Sequence, residues 1–140
     1  MSQDFYLGNP NLKKVGTEIQ FTKDQIQEYL KCKEDPVYFA MNYIKIISLD
    51  EGIVPFKMWD FQQELIESFH ENRFNIAKLP RQTGKSTTCV SYLLHYILFN
   101  DNVNVGILAN KLSTARDLLG RLQLAYEQLP MWLQQGIVVY

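Results

Sequence analysis

The sequence predicts an α/β fold, a parallel sheet with flanking helices, and three observations predict it. An apolar run, Phe74-Asn75-Ile76-Ala77-Lys78-Leu79, leads directly into a short loop that opens a helical pattern. A second run, Val103-Asn104-Val105-Gly106-Ile107-Leu108-Ala109, is again followed by a helical pattern. A third, Gly136-Ile137-Val138-Val139-Tyr140, reads as a further strand beginning. Strand, loop, helix, strand, helix, strand is the order in which crossover helices join parallel strands. Such a sheet is incomplete, so the chain reads as the front part of a larger domain preceded by a helical lead-in.

Composition sets the bounds. A chain of 140 residues suffices for one compact domain with its own core. Hydrophobic residues at 46% and charged residues at 21% exclude a disordered chain. Fourteen Lys and Arg against fifteen Asp and Glu leave a formal charge of −1, so any contact with nucleic acid has to be local. Cys32 and Cys89 stand far apart without metal-ligand spacing, which predicts neither a zinc site nor a disulfide framework. The Met1-Ser2-Gln3-Asp4-Phe5 start has no basic and apolar leader pattern, and no apolar run reaches the length of a membrane span. The expectation is a reduced, soluble protein without a membrane partner.

Three segments follow in order. Residues 1–21 mix Gly8, Asn9, Pro10, Lys13, Lys14 and Gly16 with few periodic apolar positions and read as an irregular arm. Residues 22–57 read as a helical lead-in. Its first helix starts at the capping box Thr22-Lys23-Asp24-Gln25, and its second at Asp35-Pro36, where Asp caps and Pro fits the first helical position. The apolar spacing of that second helix runs from Val37 through Ala40, Met41 and Ile44 to Ile47. Ile53-Val54-Pro55-Phe56 is a short extended piece. Residues 58–140 read as the partial α/β domain. It opens with a helix ending near His70 whose apolar face carries Phe61, Leu65, Ile66 and Phe69, with Gln62 at its edge. Cys89, Val90, Leu93, Leu94, Ile97 and Leu98 mark a helix from about Lys85 to Phe99; Leu112, Ala115, Leu118, Leu119, Leu122 and Ala125 mark another, capped by Asn110 and closed at Leu129-Pro130.

The loop between the first run and its helix carries the chemistry. Leu79-Pro80-Arg81-Gln82-Thr83-Gly84-Lys85-Ser86-Thr87 satisfies the second half of the phosphate-binding pattern G-x-x-x-x-G-K-[ST], with Leu79 at the first glycine position. In such a loop, backbone N–H groups and the positive end of the following helix meet phosphate oxygens. Lys85 is placed to neutralise the β- and γ-phosphates, and Ser86 to offer its hydroxyl to Mg²⁺. Gly84 lets the backbone approach closely, and the N–H groups of Thr83 through Thr87 complete the cradle. The plain alternative, a chance match at an ordinary helix start, is disfavoured by the placement between a strand pattern and a helix. Arg81 is open to two readings: a guanidinium reaching the γ-phosphate, where such an arginine is worth on the order of 10³–10⁵ in rate, or a surface salt bridge. Gln62, 23 positions before Lys85, is likewise open. Its amide matches the edge of adenine, with Phe61 beside it to pack on the ring, yet a lone helical Gln is most often solvated.

Hydrolysis needs a carboxylate after an apolar strand, to hold Mg²⁺ and orient water, and neither Asp117 nor Glu127 stands in such a place. His70 and His95 lack partner carboxylates at catalytic or metal spacing, and Trp59 and Trp132 read as packing residues.

Along nearly its whole length the sequence resembles the N-terminal part of the large terminase subunit of tailed bacteriophages, the ATPase of the DNA-packaging motor. The likeness lies in Gly8-Asn9-Pro10-Asn11-Leu12-Lys13, in Asp60-Phe61-Gln62, in the loop Arg81-Gln82-Thr83-Gly84-Lys85-Ser86-Thr87 without its first glycine, and in Val105-Gly106-Ile107-Leu108-Ala109-Asn110, Leu129-Pro130 and Gly136-Ile137-Val138. The resemblance implies a phosphate-loop ATPase fold, ATP with Mg²⁺ as ligand, Phe61 and Gln62 at the adenine, and Gln82 with the rest of the loop at the phosphates. It implies Arg81 and Lys85 as catalytic residues. For a complete protein it further implies double-stranded DNA, the portal and the small terminase subunit as partners, in the cytoplasm of an infected bacterial host. The acidic hydrolysis motif and the nuclease domain of that family have no counterpart in these residues, so the chain is expected to be catalytically incomplete. Two alternatives stand beside it: a non-catalytic assembly module whose sheet another chain completes, and a fragment of a superfamily 2 helicase.

Overall fold

The computed structural model describes residues 5–48 and 50–134, and their architecture is set by helices. After a 3-10 turn at Tyr6–Gly8 come α1 (Lys23–Glu34), α2 (Pro36–Tyr43), β1 (Lys45–Ser48), β2 (Gly52–Pro55), α3 (Asp60–Glu71), α4 (Lys85–Phe99) and α5 (Leu112–Glu127). The sheet among the described residues is the two-stranded antiparallel pair β1–β2, with Lys45 opposite Pro55 and Ser48 opposite Gly52. The parallel α/β sheet expected from the sequence is therefore corrected: the described chain is mostly helical, and neither of the two expected strands within it forms.

The reason lies in pairing. A strand is stabilised by its ladder, and among the described residues no backbone–backbone hydrogen bond engages 74–79 or 103–109. Burial along the second run still alternates, with Val103, Val105 and Ile107 half-buried and Asn104, Gly106 and Leu108 exposed, the two-residue period of an extended chain that pairs with no other described residue. Phe74, Ile76 and Leu108 stand 83%, 103% and 92% exposed. Between the two runs lies an apolar cleft of about 380 Å³, floored by Cys89, Val90 and Leu93 of α4. The third expected strand, 136–140, lies outside the described residues.

A second correction concerns the lead-in. The helical spacing from Val37 to Ile47 ends early, at Tyr43, and Ile46 and Ile47 turn into β1 opposite Val54 and Ile53. Branching at Cβ favours a paired, pleated backbone over a helical one. Gly52, at φ +74°, supplies the left-handed conformation that returns the chain.

The starts of α1 and α2 form as their side chains dictate, whereas the cap expected from Asn110 does not form: α5 begins after Lys111 with no side-chain cap. The Thr22 hydroxyl accepts from the Gln25 N–H at 3.2 Å while Gln25 Oε1 accepts from the Thr22 N–H at 3.0 Å. Asp35 Oδ1 accepts from the N–H groups of Val37 and Tyr38, both at 2.9 Å, so α2 begins with only Asp35 between it and the end of α1. α2 packs on α3 and α4, and α1 meets α4 through Tyr29, whose ring lies 5.1 Å from that of Phe99. The core joins Cys32, Phe39, Ala40, Ile66, Leu94, Leu98 and Phe99 with Phe56 and Met58, and continues to Ala125, Leu129 and Leu133. Phe39 is its centre, wholly buried with its ring 5.7 Å from Phe99, 5.5 Å from His95 and 6.2 Å from Tyr43. The N-terminal arm is tied down by Gln134, whose Oε1 accepts from the Lys13 N–H at 3.0 Å and whose Nε2 donates to the Asn11 carbonyl at 2.8 Å. Trp132 packs edge-on against Tyr43 at 5.6 Å, whereas Trp59, expected to pack, is largely exposed.

His95 is buried in this core on α4, its Nε2 2.8 Å from the Cys32 carbonyl oxygen and its Nδ1 without a partner among the described residues. An imidazole facing a carbonyl donates to it, which leaves Nδ1 as a bare acceptor in apolar surroundings. Burial, opposed by the carbonyl contact, lowers its pKa below the usual histidine value. The folded form therefore binds fewer protons than the unfolded chain in mildly acid solution. The stability that follows is complete above the unfolded pKa of about 6.5 and is lost as pH falls through it, at up to about 1.4 kcal/mol per pH unit. Denaturant unfolding between pH 7.5 and 5 is expected to show this decline, and His95→Gln to remove the share due to this one proton; an unchanged slope in the variant would refute the assignment.

Candidate functional site

The site is assembled where the N-terminus of α3 meets the loop that opens α4. Trp59 is the extended residue before α3, and Gln62, third in the helix, turns back so that its Oε1 accepts from the Trp59 N–H at 3.0 Å. That satisfies one of the donors a helix start leaves unpaired. The same amide reaches across the chain: its Nε2 donates to the Thr83 carbonyl at 3.1 Å. Gln62 is thus buried, 4% exposed, with both ends of its amide engaged.

The loop is closed on itself around one carbonyl. The Pro80 oxygen accepts from Thr83 Oγ1 at 3.1 Å and from the Lys85 ammonium at 2.9 Å. Two of its residues are left-handed, Gln82 at φ +60° and Gly84 at φ +69°. For Gly84 this conformation is free, and for Gln82 it costs roughly 1–2 kcal/mol, a local strain of the kind that accompanies functional loops. Glycine here also leaves room for Gln62: a Cβ would lie 2.6 Å from its Nε2, and the amide would have to move.

From Gly84 the chain enters α4. The first helical bond at this end runs from the Thr88 N–H to the Gly84 carbonyl at 3.0 Å. The N–H groups of Lys85, Ser86 and Thr87 make no backbone hydrogen bond among the described residues. They stand at the positive end of a 15-residue helix with no acidic side chain in its first turn. Lys85 and Ser86 line the mouth of the apolar cleft together with Leu79 and Ile107. The Ser86 hydroxyl is half-buried and has no hydrogen-bond partner among the described residues, which leaves its oxygen available as one ligand to a hard cation.

The residues singled out in the sequence are thus only partly brought together. Gln62, Thr83, Gly84 and Lys85 touch through the contacts above. Arg81 and Gln82 are exposed in the loop, and Arg81 forms no ion pair among the described residues. Phe61 is half-buried, its ring tilted against Trp59 at 5.6 Å. Thr87 lines a different cavity, of about 340 Å³, with Lys45, Arg121, Ile46 and Val90. Sequence reasoning missed the Pro80 carbonyl, which has no side-chain signal, and Thr88, buried with its hydroxyl donating to the Gly84 carbonyl at 3.1 Å. Lys45 and Arg121 were also missed, since only the hairpin and α5 folding onto α4 bring them beside Thr87.

Among the described residues no three of His, Cys, Asp and Glu gather so as to hold a metal ion, and no helix is long and apolar enough to cross a membrane. No family model matches the chain.

Proposed function

We propose that the loop from Leu79 to Thr87 and the first turn of α4 bind the polyphosphate of ATP with Mg²⁺, as the nucleotide-binding part of an ATPase resembling the large terminase subunit. The observation that carries this reading is that the N–H groups of Lys85, Ser86 and Thr87, at the positive end of α4, have no hydrogen-bond partner among the described residues. Gly84 is left-handed immediately before them, and the Lys85 ammonium, which donates to the Pro80 carbonyl at 2.9 Å, is the cation of the loop that would meet the phosphate charge. Ser86 would hold Mg²⁺ in this reading, with the other ligands from phosphate oxygens and water; the ion would neutralise the phosphate charge. Double-stranded DNA, the portal and the small terminase subunit are the partners this reading proposes for a complete protein.

Amide spectra of a ¹⁵N-labelled chain test it. Addition of Mg²⁺-ATP is expected to move the signals of Thr83 through Thr87 first and furthest. Shifts confined to other surfaces, such as the Lys45 and Arg121 cavity, would remove the loop from the function.

A further inference from the structure

We infer that Gln62 is a positioning residue for the phosphate loop, holding it by the Thr83 carbonyl and the Gly84 backbone, and that its amide does not read the base. The inference rests on the phosphate-binding reading above and assigns Gln62 a different task within it. Base recognition by an amide needs one donor and one acceptor presented together on one edge. Here the acceptor is spent on the Trp59 N–H at 3.0 Å and a donor on the Thr83 carbonyl at 3.1 Å. The side chain is 4% exposed, so its remaining N–H and lone pair do not face an open surface.

The consequences of those bonds fall on the loop. Thr83 and Gly84 precede the free N–H groups of α4, and the Thr83 hydroxyl shares the Pro80 carbonyl with Lys85. Gln62 therefore links the capped end of α3 to the residues that set the direction of those N–H groups. Contact with Gly84 is close enough that no other L-residue fits there while Gln62 keeps its place. A triphosphate would be affected by the loss of this link whatever base it carries, or with no base at all.

Equilibrium binding of Mg²⁺-ATP, Mg²⁺-GTP and Mg²⁺-tripolyphosphate to the wild-type chain, Gln62→Glu and Gln62→Ala separates the two tasks. Gln62→Glu keeps an oxygen for the Trp59 N–H and removes the donor to Thr83. Positioning predicts that all three ligands weaken by the same factor, about tenfold, as expected for one lost hydrogen bond. A loss for ATP alone, with tripolyphosphate unchanged, would overturn the inference and return Gln62 to the base. A double-mutant cycle gives a readout that general destabilisation would not move. Gly84→Ala should weaken tripolyphosphate binding less in the Gln62→Ala background than in the wild type, because the clash is gone. Strict additivity would overturn the link. Should the wild-type chain, folded by circular dichroism, bind none of the three ligands, the phosphate-binding reading falls and takes this inference with it, whereas failure of Gln62 alone leaves wild-type binding intact.

Discussion

Truncating Phe39 to alanine is expected to destabilise the chain by about 3–5 kcal/mol, the range for removing a fully buried aromatic ring. The ring is 0% exposed and lies against Phe99 and His95 of α4 and Tyr43 of its own helix, so α2 and α4 lose their common contact. Against a total stability on the order of 5–15 kcal/mol, that loss leaves a large part of the population unfolded at moderate temperature. Urea unfolding followed by circular dichroism measures it. Ile47→Ala is the control, since Ile47 is 63% exposed and its truncation is expected to cost within about 0.5 kcal/mol. Equal effects of the two substitutions would mean that the core is not centred where Phe39 lies.

Gly84→Ala is the second large effect and the one that joins stability to the site. Alanine at φ +69° costs about 1–2 kcal/mol, and its Cβ, 2.6 Å from Gln62 Nε2, forces the amide off the Thr83 carbonyl. Losing that hydrogen bond adds about 1 kcal/mol. The melting temperature should fall, and binding of inorganic tripolyphosphate should weaken at least about tenfold, because the N–H groups of α4 follow Gly84 in direction. Gly120→Ala gives the contrast. Nothing lies within 4 Å of a Cβ built at Gly120, in the middle of α5, so that substitution is expected to stabilise by about 0.5–1 kcal/mol through helix propensity. A loss at Gly120 as large as that at Gly84 would contradict the account of both.

What could be read from the sequence divides along a physical line between local and non-local structure. The starts of α1 and α2 were legible because a capping box and an Asp-Pro pair act within three residues, and both form with the expected hydrogen bonds. The extent of α4, Lys85 to Phe99, was legible from its four-residue apolar period. The strands were not. Phe74 through Leu79 and Val103 through Ala109 have the composition of strands, but a strand requires a neighbour, and composition does not say whether one is supplied. The β1–β2 hairpin was hidden by an apolar spacing that suits a helix as well as a paired strand up to Ile47, and only the Gly52 turn decided it. In the site, the loop residues were legible as a motif. The engagement of Gln62 was not, because its two partners are backbone atoms, one of them 21 positions away. For the same reason no pattern in the sequence pointed to the Pro80 carbonyl as the resting partner of Lys85.

The central claim is that the loop at the start of α4 binds polyphosphate through Lys85 and the free N–H groups around it. Titration of a fluorescent ATP analogue with Mg²⁺ into the wild-type chain and Lys85→Ala, both checked for folding by circular dichroism, tests it most directly. Lys85 is half-buried and its ammonium makes one hydrogen bond, to the Pro80 carbonyl, so its truncation should leave the fold in place. Saturable wild-type binding, displaced by tripolyphosphate and weakened on the order of a hundredfold in Lys85→Ala, is the predicted result, as expected for removing a charge-assisted contact to phosphate. Equal affinities for the two chains, or no binding by either, would contradict it.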